Sequence, residues 1–313
     1  MKTEESTLIC IVGPTAIGKT SLSINLAKYF SIEILSADSR QFFKEMEIGT
    51  AVPSQNELSL AKHHFIQHIS IKEDYNVGEF EKEALKVLDT IFKTHSKAVL
   101  VGGSGLYQKA ITDGLDVFPE IPLDIRLKIE NLLNSEGLGV LQSLLKKKDP
   151  EYYQQIELSN PRRLTRALEV IETSGKPYST FLNQNKLERS FNSIKIGLDA
   201  PREVIYNRIE KRIDEMIANG LLEEAKSLFP FKHLNALQTV GYKELFAHFE
   251  GKATLAEAIS EIKKNTRRFA KRQLTWFKKD PQIKWFHYET PREEIISHIK
   301  TQIAYRNIQQ ANL

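Results

Sequence analysis

Three apolar runs rich in β-branched residues, Leu8 to Val12, Ile32 to Ala37 and Ala98 to Val101, each end in a glycine-rich or polar turn. They alternate with stretches of helical periodicity, which predicts an α/β fold with a parallel sheet and helices on both of its faces. A fourth run, Ile194 to Leu198, comes only after a long stretch, from about Pro119 to Arg189, with helical patterning and no strand signal. That stretch reads as a helical insertion domain, residues 119–190, set into a core made of residues 1–118 and 191–313. Pro119 and Pro122 mark its start and the polar run NQNKLERSFN its end. From Pro201 onward the pattern is mostly helical until QIKWFHY, a candidate last strand.

The turn after the first run carries chemistry. Gly13-Pro14-Thr15-Ala16-Ile17-Gly18-Lys19-Thr20 fits G-x-x-x-x-G-K-[ST] and stands between a predicted strand and the amphipathic run SLSINLAKYF. In that context the backbone N–H groups converge on phosphate oxygens, Lys19 adds positive charge, and the Thr20 hydroxyl can reach Mg²⁺. The fold expected is therefore of the P-loop NTPase type, and the ligand a diphosphate. Nucleotide kinases, NTPases and transferases with a diphosphate leaving group would all use such a loop alike.

The second run ends in Ser36-Ala37-Asp38-Ser39-Arg40-Gln41. Ligands of doubly wound sheets collect at the carboxyl ends of the strands, which places Asp38 at the crevice of the phosphate loop. A carboxylate there holds Mg²⁺, accepts a proton from an incoming nucleophile, or caps the next helix. Gln41 offers a donor and acceptor pair suited to an adenine edge, and equally suits an exposed helix start.

Composition narrows the setting. The chain has 313 residues, of which 41% are hydrophobic and 27% charged, enough for one large core and a second smaller module. No run has the pattern of a signal peptide or a membrane span, so a cytoplasmic location without a membrane partner is expected. The single cysteine, Cys10, lies inside the first apolar run and reads as a buried strand residue, which excludes disulfides and cysteine zinc sites. A net charge of +4 is unremarkable in itself, so its distribution matters more than its sum.

Between Glu261 and Asp280 the segment IKKNTRRFAKRQLTWFKK contains no acid. Lys264, Arg267, Arg268, Lys271 and Arg272 fall on neighbouring helical positions, with Phe269, Trp276 and Phe277 available to pack or stack. Together with Arg162, Arg163 and Arg166 in the insertion, this suits two walls of an RNA groove, where phosphate contacts position the substrate. A solvated helix face would carry the same charges. His63, His64 and His68 are close enough for a metal site to be conceivable, although HHFIQH reads more simply as structural.

Seven segments in order, GPTAIGKT, SADSRQFFKEMEIGTAVPS, VGGSGLYQKAITDGL, NPRRLTRALEVIETSGKP, RIEKRIDEMIANGLLEE, QTVGYKEL and TRRFAKRQLTWF, resemble the signature of the tRNA dimethylallyltransferases, the IPP transferase family. The resemblance runs from Gly13 to Phe277. It implies transfer of a dimethylallyl group from dimethylallyl diphosphate to the exocyclic N6 amine of the adenosine next to the anticodon. The partners implied are the tRNA anticodon stem-loop and dimethylallyl diphosphate, with Mg²⁺ at Thr20 and no obligate protein partner.

By the same resemblance Asp38 is the general base. Thr15 and the loop around Lys19 and Thr20 hold the diphosphate, and Arg212 clamps it. The tRNA-binding positions implied are Asp38, Ser39, Arg40 and Gln41; Ser104; Arg126; Arg162, Arg163, Leu164, Thr165 and Arg166; and Gln238, Thr239, Val240, Gly241, Tyr242 and Lys243. Four residues depart from the family pattern: Val52 replaces a lysine, Phe43 a tyrosine, Ser104 a threonine and Asn160 an aspartate. Adenylate isopentenyltransferases and P-loop nucleotide kinases share the loop but have no need of the basic segments. An RNA-binding ATPase would explain those segments and leave Asp38 and Arg212 without a purpose.

Overall fold

The computed structural model describes residues 5–182 and 188–311. Residues 183–187, which begin the polar run read as the end of the insertion, lie outside the described residues. The chain forms two compact units, one of Met1–Thr112 with Arg189–Leu313 and the other of Asp113–Glu188.

The first unit is built on a sheet of β1 (Thr7–Val12), β2 (Ile34–Ser36), β3 (His63–His64), β4 (Lys97–Val101), β5 (Asn192–Asp199) and β6 (Lys284–His287), in the order β3-β2-β4-β1-β5-β6. Every pairing is parallel. All six residues of β1 are buried, as expected of a central parallel strand covered on both faces, and Cys10 is among them. The strands advance to one side of β1 as far as β3 and then resume on its other side with β5. A crevice therefore opens at the carboxyl end of β1, where ligands of such sheets bind.

Two differences from the sequence pattern have local causes. β2 is shorter than the run Ile32 to Ala37 because Ser31, at φ 54°, ends the preceding helix and the Ile32 N–H still bonds back to the Ala27 carbonyl. β3 has only two residues, paired Ile34 to His63 and Leu35 to His64, too few for a period-two signal.

The second unit packs the helices Leu123–Glu136, Leu138–Lys148, Pro150–Gln155 and Pro161–Ser174 around its own core, which includes Ile129, Leu141, Leu145, Leu164 and Leu168. Leu164 is fully buried there, so its side chain is core and not an RNA contact, a correction to the expectation from resemblance. Buried Asp149 caps one helix by accepting from the Tyr152 N–H at 3.0 Å and ties down a later turn through the Ser179 N–H at 2.7 Å. Asn160 accepts from the Arg163 N–H at 3.3 Å, so the capping job of an aspartate is kept by its amide.

A carboxylate organises the loop after β2. Glu224 accepts from the N–H groups of Glu47, Ile48 and Gly49 at 3.0, 2.8 and 2.9 Å, and from the Tyr242 hydroxyl at 2.7 Å. Tyr242 is wholly buried, which corrects its expected role in contacting RNA. Its place in QTVGYKEL is to brace that loop from inside. Removing the hydroxyl in Tyr242→Phe should lower the unfolding free energy in urea by about 1–2 kcal/mol, the usual cost of one buried hydrogen bond. Unchanged stability with weakened RNA binding would put the hydroxyl on the nucleic acid instead.

Candidate active site

The phosphate loop follows β1 directly and leads into the helix Lys19–Phe30. Gly13 is at φ 141°, and a Cβ there would stand 2.6 Å from the Leu198 carbonyl oxygen of β5, so no other residue fits that turn. At the helix start Gly18 offers no side-chain cap, which leaves the first N–H groups of the helix for a ligand. Lys19 is folded back, its Nζ donating to the carbonyls of Gly13 at 3.0 Å and Pro14 at 2.7 Å.

A cavity of about 260 Å³ opens over this loop. Of the residues expected at the site, it brings together Thr15, Ala16, Ile17, Gly18, Lys19, Thr20, Asp38, Gln41 and Arg212. Gly13 and Pro14 serve from behind, as the carbonyls that hold Lys19. Arg212 Nη1 donates to Thr15 Oγ1 at 3.4 Å, linking the helix Arg202–Ala218 to the loop.

Burial perturbs each charged group of the site. Burial lowers Lys19 to about 8; Asp38 opposes that shift, and Arg212 adds to it by repulsion. Arg212 is lowered by the same burial, with Asp38 again opposing. Asp38 is raised because burial outweighs the backbone N–H of Arg40 and the charges of Lys19, Arg40 and Arg212. Lys19, Arg212 and Asp38 are thus buried close to one another, which carries an energetic cost. Asp38 is not a helix cap: its Oδ1 accepts from the Arg40 N–H at 3.2 Å within a turn.

Other expected positions have different surroundings. Gln41 donates to the carbonyls of Thr50 at 3.2 Å and Ala51 at 2.9 Å and accepts from Ser36 Oγ at 3.3 Å. Its amide braces the cavity wall, and of the two readings open for it the helix start is excluded, since it lies in a turn. Arg40 donates to the carbonyls of Asn235 and Ala236. The Ser39 N–H and hydroxyl both meet Ser104 Oγ at 3.2 Å. Gln238 donates to the Lys232 carbonyl, Thr239 accepts from the Lys243 N–H, and Gly241 is buried. Val240 packs against the core, and Lys243 is exposed.

In the second unit Arg126, Arg162 and Arg163 are exposed, whereas Thr165 bonds to the Arg162 carbonyl and Arg166 lies over the Phe118 ring and near Glu169. The basic helix Leu255–Phe277 divides. Arg267 pairs with Glu210 and Lys264 with Glu261, while Arg268, Lys271 and Arg272 are exposed. Phe277 is core and cannot stack on a base; Phe269 and Trp276 are exposed.

The cavity also contains Glu57, Arg208 and Gln273, which the sequence reading did not select, together with His63 and Phe269, which it read in other roles. Arg208 is legible in hindsight, one helical turn before Arg212 in RIEKR. His63 Nδ1–H donates to the Ala61 carbonyl at 2.8 Å, and burial lowers its pKa. Among the described residues no group of three His, Cys, Asp or Glu could hold a metal, so the histidine run forms no such site. Val52 is absent from the cavity lining, although Ala51 and Pro53 belong to it.

A parallel α/β sheet with a cationic glycine-rich loop and a facing carboxylate at its switch point defines a protein of the P-loop type. The family model for IPP transferase matches residues 41–280. The tRNA dimethylallyltransferase of Christiangramia forsetii is 60% identical over 296 residues, covering 95% of this chain and 98% of its own length. That of Flavobacterium johnsoniae is 58% identical, covering 93% and 96%. Among solved structures, a tRNA isopentenylpyrophosphate transferase from Bacillus halodurans aligns with a TM-score of 0.74 at 35% identity, covering 99% of this chain and 100% of that one. A eukaryotic dimethylallyltransferase acting on tRNA aligns with a TM-score of 0.79 at 26% identity, covering 98% and 79%. The chain belongs to the IPP transferase family.

The lowered Lys19 value has a measurable consequence. A bound alkyl diphosphate favours the ammonium form, so binding should take up a proton at pH values just above 8, and affinity should rise as pH falls toward 8. Calorimetry in buffers of different ionisation enthalpy reads this uptake, which Lys19→Met should abolish; equal uptake by both proteins would place the proton elsewhere.

Proposed function

We propose that the chain transfers a dimethylallyl group from dimethylallyl diphosphate to the N6 amine of the tRNA adenosine immediately 3′ of the anticodon, releasing diphosphate. The observation that carries the reading is the convergence of Lys19, Arg212 and a pKa-raised Asp38 on one cavity. The names and high identity of the relatives support it. A tRNA substrate favours a cytoplasmic location. No described helix is long and apolar enough to cross a membrane.

An adenine amine is a weak nucleophile because its lone pair is delocalised into the ring. The reaction therefore needs a good leaving group and an acceptor for the amine proton. As the allylic C–O bond breaks and the C–N6 bond forms, charge grows on the departing diphosphate. The N–H groups at Gly18 to Thr20, with Lys19 and Arg212, stabilise that charge. Thr15 holds its hydroxyl against Arg212 and so keeps the clamp over the loop. Asp38 takes the proton, and its raised pKa makes it a stronger base than an ordinary aspartate.

A Mg²⁺ ion suits the residues present, because the Thr20 hydroxyl borders the cavity and Mg²⁺ is usually held by few protein oxygens plus substrate phosphates. When bound it would neutralise part of the diphosphate charge. For the RNA, the exposed Arg126, Arg162 and Arg163, together with Arg268, Lys271 and Arg272, supply phosphate contacts. The target base must leave its stack to react.

The test offers unmodified tRNA, AMP and ATP in turn with labelled dimethylallyl diphosphate; label should enter tRNA alone. In the same assay Asp38→Asn should lower kcat by about 100- to 10,000-fold with little change in the affinity for either substrate. Label in AMP, or near-normal turnover by the variant, would refute the substrate or the base.

Phosphate contacts are tested by salt. Neutralising Arg163 or Arg268 should make the slope of log affinity for tRNA against log salt shallower by roughly 0.7 to 0.9 per contact. An unchanged slope would make both residues solvated surface.

A further inference from the structure

Gln273 stands in the middle of the basic segment, yet it is buried, at 6% exposure, while its neighbours Lys271 and Arg272 face solvent. A buried amide on a helix whose other face is charged has to be accounted for by its partners. Its Oε1 accepts the Thr15 N–H of the phosphate loop at 2.9 Å, and its Nε2 donates to the Gly103 carbonyl after β4 at 3.0 Å. Those partners are 258 and 170 residues away along the chain. One side chain thus joins the basic helix, the diphosphate loop and the turn after β4.

That turn is the floor beneath Asp38. The Ala37 N–H bonds to the Val101 carbonyl at 2.7 Å, immediately before the glycine pair Gly102-Gly103. A Cβ at position 103 would lie 2.2 Å from Gln273 Nε2 and 3.9 Å from Asp38 Oδ2, so the amide and the carboxylate meet across a residue that has no room for a side chain. From the far side Gln108, also buried, donates to the carbonyls of Ile11 at 3.2 Å and Gly102 at 3.0 Å. The turn is therefore gripped by two glutamines, and only Gln273 connects it to the loop that faces the leaving group.

We propose that Gln273 is a positioning residue for the transfer reaction, holding the diphosphate loop at Thr15 and the turn beneath Asp38 at one fixed separation. The chemistry demands such a spacer. The cradle must hold the departing oxygen while the base meets the amine on the other side of the same carbon, so an error in their spacing slows the reaction without weakening binding to either. Glutamine is the side chain that supplies an acceptor at one end and a donor at the other across this gap. Methionine matches its length and supplies neither, and glutamate keeps the acceptor for Thr15 but turns an oxygen toward the Gly103 carbonyl.

The proposal rests on the transfer reading, and its test separates the two. Labelled dimethylallyl transfer to tRNA is measured for wild type, Gln273→Met, Gly103→Ala and the double variant, alongside thermal unfolding and tRNA affinity. A displacement near 1 Å at reacting groups costs on the order of 100-fold, so Gln273→Met should lower kcat at least about tenfold while KM for dimethylallyl diphosphate changes less than about threefold. Gly103→Ala should reproduce the loss by displacing the amide. The double variant should be no worse than the poorer single one, because both act through one contact. A folded Gln273→Met with kcat within about threefold of wild type, or losses that multiply in the double variant, would overturn the assignment. Should Gln273→Met fail to fold, Gln273→Glu carries the same comparison: a reduced kcat at a retained KM supports the assignment, and an unchanged kcat overturns it. Absence of labelled tRNA from the wild-type reaction sinks the transfer reading itself; transfer by wild type and variants alike sinks only the role of Gln273.

Discussion

Keeping Lys19, Arg212 and Asp38 buried beside one another is the constraint around which this molecule is arranged. Burial pushes Lys19 and Arg212 toward losing their protons and Asp38 toward keeping its own. Left unsupported, such charges would turn outward to water. The carboxyl ends of β1, β2 and β4 prevent this by fixing the loop, the Asp38 turn and the Gly102-Gly103 turn side by side in one sheet. A parallel sheet buried on both faces is stiff enough to hold them there.

Much of the surrounding polar structure serves that arrangement at one remove. Glu224 and Tyr242 secure the backbone of Glu47 to Gly49, the next two residues offer their carbonyls to Gln41, and Gln41 accepts from Ser36 Oγ. Ser36 Oγ in turn accepts from the Asp38 N–H at 3.3 Å. The wall that faces the base is thus continuous, through hydrogen bonds, with a helix far along the chain. Motifs that look like contact surfaces, SADSRQ and QTVGYKEL among them, are in good part the joinery of this wall.

The α/β class, the phosphate loop and the placement of Asp38 were legible because each depends on neighbours in the chain: an apolar strand, a glycine turn and a helix start are contiguous. Arg212 came from resemblance, since nothing local tells one helical arginine from another. What escaped was set by long-range pairing. Leu164 and Tyr242 stand inside polar, arginine-bearing or glycine-bearing motifs and yet are core, a fact decided by which helix face turns inward. Gln273 was hidden by the basic residues around it, and β3 was too short to leave a period. The division of the basic helix, with Arg267 bound to Glu210 and Arg268 exposed, likewise depends on an acid more than fifty residues earlier.

The two carbonyls that receive Lys19 have a consequence for selectivity. The loop is not a set of idle donors, for the Lys19 ammonium has partners in these carbonyls, and any incoming group must exchange with them. A neutral alcohol or a singly charged ester offers too little attraction to displace two carbonyls and then repay the ordering of its own chain. A diphosphate presents several oxygens to Lys19, the helix N–H groups and Arg212 at once. On the proposed reading, discrimination among phosphorylated metabolites thus begins at these two carbonyls, before the organic part of the ligand is felt.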